Sequence, residues 1–278
     1  MPVVAKNSEE FEVNRCRLCG GKLVLKFSST VLERYSVNYF LCQTCRSLQT
    51  EHPFWLGEAY QTSSLSLLDT GAAQRNLHNL AICYFVVKLF SAPNVLDFGG
   101  GDGFLCRLLR DYEVNCYLMD SHASPVYAQG FTDPGSEILN MITAFEVVEH
   151  FSDPAREMDE IFSQGAKVVL LSTLLYEGQG EDWWYLAPET GQHVFFYGEK
   201  AMELLAARYQ YDLVAANGYF LFVREASLIR KGLFRLFMVS LIRRGFRALM
   251  MLLPARGVWR DHSALQVRSS RLGVRDQA

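Results

Sequence analysis

Asp97 ends a short apolar run, and glycines follow it at alternate positions, in Val95-Leu96-Asp97-Phe98-Gly99-Gly100-Gly101-Asp102-Gly103. Phe104-Leu105-Cys106-Arg107-Leu108-Leu109 then reads as the opening of a helix. Strand, glycine turn and helix in this order bring backbone close to a nucleotide-like ligand. Glycine is needed because a Cβ would hold the ligand away and because such a turn can require positive φ. A dinucleotide fingerprint spaces its glycines G-x-G-x-x-G and seats a pyrophosphate on the helix N-terminus. Here the third glycine arrives one residue early, with Phe104 in its place. A carboxylate at Asp97 suits an ammonium and would repel a phosphate. A second carboxylate, Asp120, closes the next apolar run, Val114-Asn115-Cys116-Tyr117-Leu118-Met119, and lies 21 residues after Gly99. That is close to the ~20-residue interval at which an acid meets ribose hydroxyls in such folds. The plainer alternatives are a glycine-rich turn of some other α/β protein and a capping role for Asp120.

Cysteine spacing points to a second chemistry. Four of the seven cysteines form Cys16-x-x-Cys19 and Cys42-x-x-Cys45, with 22 residues between the pairs. Two such hooks place four thiolates around one tetrahedral Zn²⁺. Gly20 and Gly21 let the backbone fold back toward sulfur, and Lys22–Phe27 and Val37–Leu41 read as the short strands of a zinc ribbon. Two disulfides are the alternative, disfavoured in a reducing compartment. Four thiolates leave no open coordination position, so the expected role is structural. Cys83, Cys106 and Cys116 sit in apolar contexts and read as buried, inert thiols.

Acid–base candidates come later in the chain. Met141-Ile142-Thr143-Ala144-Phe145-Glu146-Val147-Val148-Glu149-His150 reads as a strand and its exit, followed by a helix from about Pro154 to Gln164 with Asp153 as cap. Lys167–Thr173 is a continuous apolar strand, as in a parallel sheet covered on both faces. Beyond its carboxyl end lies a loop with Trp183, Trp184, Tyr185, Gln192, His193 and Tyr197, then a helix over 199–209 and strands near 212–216 and 219–224. His193 is suited to accept a hydroxyl proton near neutral pH, and the aromatic side chains could shape an acceptor site. The plain reading makes the aromatic residues core and His193 a satisfied loop histidine.

Taken together, these motifs resemble the class I methyltransferases that use S-adenosylmethionine (SAM), over about residues 92–225. The 95–103 run resembles their motif I. The pattern E-x-x-E-H-x-x-D-P, from Glu146 to Pro154, resembles bacterial enzymes acting on small molecules and sugars. The resemblance implies an α/β fold: a doubly wound, seven-stranded Rossmann-like sheet beside the small N-terminal zinc ribbon. It implies that Asp97, Gly99, Gly101, Phe145 and Glu146 line the cofactor and that Asp120 binds both ribose hydroxyls. A helix from Asp69 to about Phe90 would cover the cofactor. Arg75 on that helix would then meet the cofactor carboxylate or an anionic substrate, or else be a solvated surface arginine. The four-cysteine module, the SAM motif and a histidine before an aromatic-Tyr segment are also similar to sugar C-methyltransferases, where a Glu-His pair serves acid–base chemistry. Here the pair is Gln192-His193, and only about 50 residues follow the core. The expectation is therefore O-methylation of a sugar, or of a polysaccharide or secondary-metabolite precursor, with His193 as base and His150 as the alternative base. Sugar C-methylation, or a catalytically silent binding protein of this fold, are the competing readings.

Composition sets the remaining expectations. A chain of 278 residues, 50% hydrophobic, can bury one substantial core plus an appendage. The organisation read from sequence is a ribbon over 1–52, a linker and helical cap over 53–91, the SAM-binding domain over 92–225 and a basic amphipathic tail over 226–278. That tail carries eleven Lys and Arg against Asp261 and Asp276, a net +9, so with a whole-chain charge of −3 the remainder is −12. An acidic core, and the lack of an N/D-P-P-Y/F motif at the strand exit, argue against nucleic acid. The partner expected is a small-molecule or glycan acceptor. Lys6, Glu9, Glu10 and Glu12 leave no apolar signal segment, and no run reaches the ~18 apolar residues of a membrane span, so a cytoplasmic location is expected. Residues 228–253 alternate apolar groups with arginines and read as a peripheral membrane contact on the inner face. The alternative is a helix packed on its own protein or on a second subunit. Residues 261–278 read as disordered, and no motif encodes an oligomeric state.

Overall fold

A computed structural model describes residues 15–61 and 70–271, with side chains as far as residue 267. The N-terminal residues 1–14, Asp69 at the expected helix start, and residues 272–278 lie outside them. The described chain divides into two units: residues 15–61, 149–156 and 174–201 form one, and residues 70–148, 157–173 and 202–271 form the other.

In the first unit, β1 (Leu23–Val31) and β2 (Tyr35–Cys42) pair residue by residue as an antiparallel hairpin, with one register shift between Leu25 and Phe27. Strands β3 (Leu48–Thr50) and β8 (Phe195–Phe196) extend it to the order β1-β2-β3-β8. Val37 and Tyr39 point from β2 into a core shared with Leu48, Trp55, Tyr185 and Phe196. Trp55, just before α1 (Leu56–Gln61), donates its indole N–H to the Gly191 carbonyl at 2.7 Å. The aromatic loop is thus woven into the ribbon sheet. No spacing rule reveals this, because Leu48 pairs with Phe196, far along the chain.

In the second unit, apolar runs form a sheet ordered β5-β4-β6-β7-β10-β9. Strands β4 (Asn94–Phe98), β5 (Asn115–Met119), β6 (Met141–Phe145) and β7 (Val168–Ser172) are parallel. β10 (Tyr219–Val223) runs antiparallel to both β7 and β9 (Asp212–Ala216). Helices cover both faces. Leu221 and Val223 of β10 join the core that includes Leu80 and Ile82 of α2 (Ala72–Phe90) and Leu105 of α3 (Phe104–Asp111). Phe222 points the other way, 5.1 Å from Phe162 of α4 (Pro154–Ser163), which stacks on Tyr209 of α5 (Glu199–Tyr209).

Six strands, not the expected seven, make this sheet among the described residues. Residues 120–140 carry Pro125, Gly130, Pro134 and Gly135 and form turns rather than an outer strand. Their Phe131 carbonyl accepts the Leu118 N–H at 2.8 Å, so an irregular segment covers part of the β5 edge. Leaving an edge bare would expose unpaired backbone groups.

The described part of the basic tail, residues 226–271, forms three helices, α6 (Leu228–Phe237), α7 (Ser240–Met250) and α8 (Arg256–Arg271). Phe237 stacks on Phe85 of α2 with ring centroids 3.9 Å apart, and Met250 joins the same core. The disorder expected for 261–278 is corrected as far as Arg271. Asp261 is only 2% exposed and accepts from Arg110 at 2.7 and 3.0 Å and from Arg107 at 2.8 Å. One acid in a basic segment anchors the helix to α3. Arg110 also lies 3.6 Å over the Phe131 ring and donates to the Cys116 carbonyl at 2.7 Å. Burial opposes ionisation of Asp261, but the hydrogen bonds and charge of Arg110, backed by Arg107, hold its carboxyl below the ordinary value. Asp261→Ala strands a buried guanidinium and is expected to cost about 3–5 kcal/mol in urea denaturation. The stabilisation should be full above about pH 3.9 and be lost as pH falls through the lower folded value. An unchanged unfolding midpoint would mean that α8 does not dock.

Candidate functional site

The turn from β4 to α3 carries Gly99, Gly101 and Gly103 at φ of +68°, +60° and +84°. A Cβ on Gly99 would lie 2.6 Å from Val147, and one on Gly103 equally close to Ala128. At Gly101 nothing lies within 4 Å of that position, so this backbone faces open space. Asp97, 2% exposed, accepts the Thr143 hydroxyl at 3.0 Å through Oδ1. Its buried Oδ2 has no hydrogen-bond partner among the described residues. Burial pushes the Asp97 carboxyl up to about 7, with the Thr143 hydroxyl opposing and the Asp120 charge adding.

Asp120 Oδ2 accepts the Gly101 N–H at 2.9 Å, and Oδ1 accepts the His122 and Ala123 N–H groups at 2.7 Å each. It therefore caps a turn and at the same time holds the glycine backbone. A carboxylate has about four acceptor positions, so room is left for a further donor. At the end of β6, Glu146 takes a positive φ of +53° and accepts the Ser172 hydroxyl at 2.8 Å. Phe145 lies 5.9 Å from the Tyr219 ring, and the Tyr219 hydroxyl donates to Asn79 of α2 at 2.7 Å. Burial pushes the Tyr219 hydroxyl up to about 12, against the nearby charges of Arg243 and Arg75. Arg75 itself is exposed on the first turn of α2. Asp97, Phe145, Glu146 and the glycine turn thus gather at the carboxyl ends of the parallel strands, the ligand side of open α/β sheets. Arg243 is a charge that sequence reading missed, because it reaches Tyr219 from the tail.

The first unit holds two further clusters. Cys16, Cys19, Cys42 and Cys45 bring their sulfurs within 4.8 Å of one another, with Cys16–Cys45 and Cys19–Cys42 at 3.6 and 3.5 Å. These separations far exceed the ~2.05 Å of a disulfide and fit thiolates sharing one tetrahedral ion at ~2.3 Å from each. Backbone N–H groups of Thr44 and Cys45 point at the Cys42 sulfur, both at 3.4 Å.

Glu149, His150 and His193 form the other cluster, with their ligating atoms also within 4.8 Å. Glu149 is fully buried and accepts the Tyr185 hydroxyl at 2.6 Å. His193 Nδ1 lies 2.7 Å from the Tyr185 carbonyl, which can only accept, so Nδ1 carries the proton and Nε2 is the basic nitrogen of the neutral ring. The two imidazoles meet edge to face at 4.8 Å. Gln192 takes no part: it is 1% exposed and donates to the Ala59 carbonyl. Trp183 packs on Tyr185 and Phe196, Trp184 is 74% exposed, and Tyr197 is fully buried beside Phe195. Glu149 is the group sequence reading passed over. Its only signal was its place beside His150 in the E-x-x-E-H pattern.

A mixed sheet with a glycine turn between two strand-end carboxylates defines an α/β domain of the SAM-dependent methyltransferase class. The chain belongs to the methyltransferase domain family, which matches residues 59–216, more than half its length, and it is a SAM-dependent methyltransferase. It is similar in structure to the methyltransferase domain of a bacterial Hen1, CtHen1-C (16% identity, TM-score 0.37, covering 54% of this chain and 99% of that one). It is also similar to the 1,6-didemethyltoxoflavin-N1-methyltransferase of Burkholderia thailandensis, solved with 1,6-didemethyltoxoflavin and S-adenosylhomocysteine (14%, TM-score 0.45, covering 62% and 88%). A third likeness is to the mitomycin 7-O-methyltransferase MmcR (13%, TM-score 0.40, covering 60% of each). No curated protein matches the chain in sequence.

Proposed function

We propose that the enzyme methylates a hydroxyl of a small-molecule or glycan acceptor, a sugar or a polysaccharide or secondary-metabolite precursor. The observation that carries this reading is the buried Glu149 beside His193, whose tautomer is set by the Tyr185 carbonyl. When bound, SAM supplies an electrophilic methyl group on a sulfonium. The chain's own residues do the rest. Asp97 offers its unpartnered buried oxygen to the cofactor ammonium, and Gly99 and Gly101 admit the cofactor against backbone. Asp120 accepts from the ribose hydroxyls, and Phe145 and Glu146 complete the lining. His193 Nε2 takes the acceptor proton, and the carboxylate of Glu149 stabilises the imidazolium that results. His150 is the second candidate base. Exposed Trp184 gives a stacking face for an acceptor ring, with Trp183 and Tyr185 behind it and Tyr197 as buried support. In the sheet domain, Arg75 meets the cofactor carboxylate.

One observation favours a second reading, C-methylation of a sugar. Glu149 supplies in space the carboxylate that Gln192 lacks in sequence, and proton abstraction at carbon needs such a partner. We further infer a structural Zn²⁺ on Cys16, Cys19, Cys42 and Cys45. We also infer a cytoplasmic location with peripheral contact to the inner membrane face through residues 228–253; no helix among the described residues is long and apolar enough to cross a membrane.

Three measurements test this reading. In calorimetry, SAM should bind more tightly as pH rises toward about 7, because Asp97 ionises there while the cofactor ammonium, an α-amino group of pKa about 8, is still mostly charged. Asp97→Asn should flatten that profile and weaken binding above it by about 1.5–3 kcal/mol. His193→Ala should lower kcat by about 10²–10⁴ with little change in SAM affinity. Glu149→Gln should lower kcat and shift the pH–rate profile; if the loss follows His150→Ala instead, the base is His150. Metal analysis should give near one zinc per chain, and Cys42→Ser should unfold the ribbon with loss of that zinc. A second bound equivalent, lost in His193→Ala, would make Glu149, His150 and His193 metal ligands instead.

A further inference from the structure

The tail helices are apolar on two faces. In α6, Phe234 and Phe237 are buried against the sheet domain, yet Ile229, Leu233 and Leu236, one stripe at helical spacing, are 75, 43 and 54% exposed. In α7, Met250 is buried while Leu241 and Leu249 are 78 and 64% exposed, and Leu252 just beyond is 80% exposed. Leu228 and Trp259 add 84 and 73%. A helix hydrophobic on both sides ordinarily has both sides covered, and an exposed apolar surface of this extent marks an interaction site.

Charge narrows what covers it. Residues 226–253 carry six Lys and Arg and no Asp or Glu. Lys231 pairs with Asp212 at 2.8 Å, and Arg247 reaches Gln74 and His78 of α2. Arg235 and Arg244 are exposed on the same helices as these leucines. A closed two-fold interface with a second copy would set these arginines against one another with no carboxylate to pair them. An apolar stripe interspersed with exposed cations is instead the pattern of a helix lying in an anionic bilayer surface.

We propose that α6, α7 and the turn after α7 are a bilayer-docking surface selective for anionic lipid, with Ile229, Leu233, Leu236, Leu241, Leu249 and Leu252 entering the interface and Arg235 and Arg244 meeting lipid phosphates. The proposal rests on the peripheral-membrane reading and specifies its lipid and its residues. It makes the outer face of the C-terminal helices a recognition surface, while their inner face belongs to the core.

Co-sedimentation of the full-length protein with phosphatidylcholine vesicles, with and without phosphatidylglycerol, tests it. Binding is expected only with phosphatidylglycerol and should fall steeply with salt. Leu241→Glu/Leu252→Glu should abolish it. Arg235→Gln/Arg244→Gln should weaken it on the order of 30-fold, from two basic contacts at the usual strength on an anionic surface. Both variants alter exposed positions, so SAM affinity and thermal midpoint should be unchanged. Equal binding to both vesicles would overturn anionic selectivity and leave the peripheral location standing. Failure to bind either would overturn both, and a stable dimer that the leucine variant dissociates would assign the surface to a second copy.

Discussion

The hydrogen bond from the Gly101 N–H to Asp120 ties the glycine turn after β4 to the end of the neighbouring strand β5. Much of the geometry at the carboxyl ends of the parallel strands depends on that link. Parallel strands end in register, so their last residues lie side by side at one edge of the sheet. A carboxylate there can reach the backbone of the adjacent turn. The turn in turn needs residues at positive φ, which costs other side chains energy and glycine very little. The same acid thus shapes the turn and keeps acceptor positions open beside it. Asp97 is held differently: Gly100 packs against its carboxylate, and burial makes its charge costly.

The C-terminal helices belong to the domain in a way their composition conceals. Arg110 is a buried cation that meets Asp261, the Phe131 ring and a backbone carbonyl together. Each partner comes from a different segment: α8, the irregular stretch beyond β5, and the edge strand itself. The missing outer strand and the added helices are therefore linked. Where the sheet stops short, an arginine on α3 gathers the chain that replaces it. Burying such a group is tolerated only when its donors find acceptors.

The first unit joins two tasks in one small core. β1 buries only Leu23 and Val31, and β2 only Val37, Tyr39 and Cys42, too few apolar side chains for the hairpin to stand alone. Here the core also recruits Tyr185 and Phe196 from the aromatic loop. The Tyr185 ring packs in that core while its hydroxyl and carbonyl position Glu149 and His193. Stability of the ribbon and geometry of the histidines are therefore coupled through one side chain.

What the sequence alone determined was local or periodic. The glycine spacing after Asp97, the acid at Asp120, the paired cysteine hooks, and the parallel apolar strands all express short-range rules of turn geometry, ligand spacing and burial. Those rules were enough to place the glycine turn and all six strands of the sheet, and to set the helix over 199–209. Tertiary structure decided the rest, because it depends on residues distant in sequence meeting in space. Among the described residues the sheet has six strands because 120–140 breaks into turns that Phe131 still lays along the edge. Residues 261–271 are helical because one buried acid finds two arginines on α3. Gln192 stands beside His193 in sequence but turns into the core, and Glu149 takes the place beside the imidazole. A chain neighbour shares a backbone with a residue; only folding decides which side chain shares its environment.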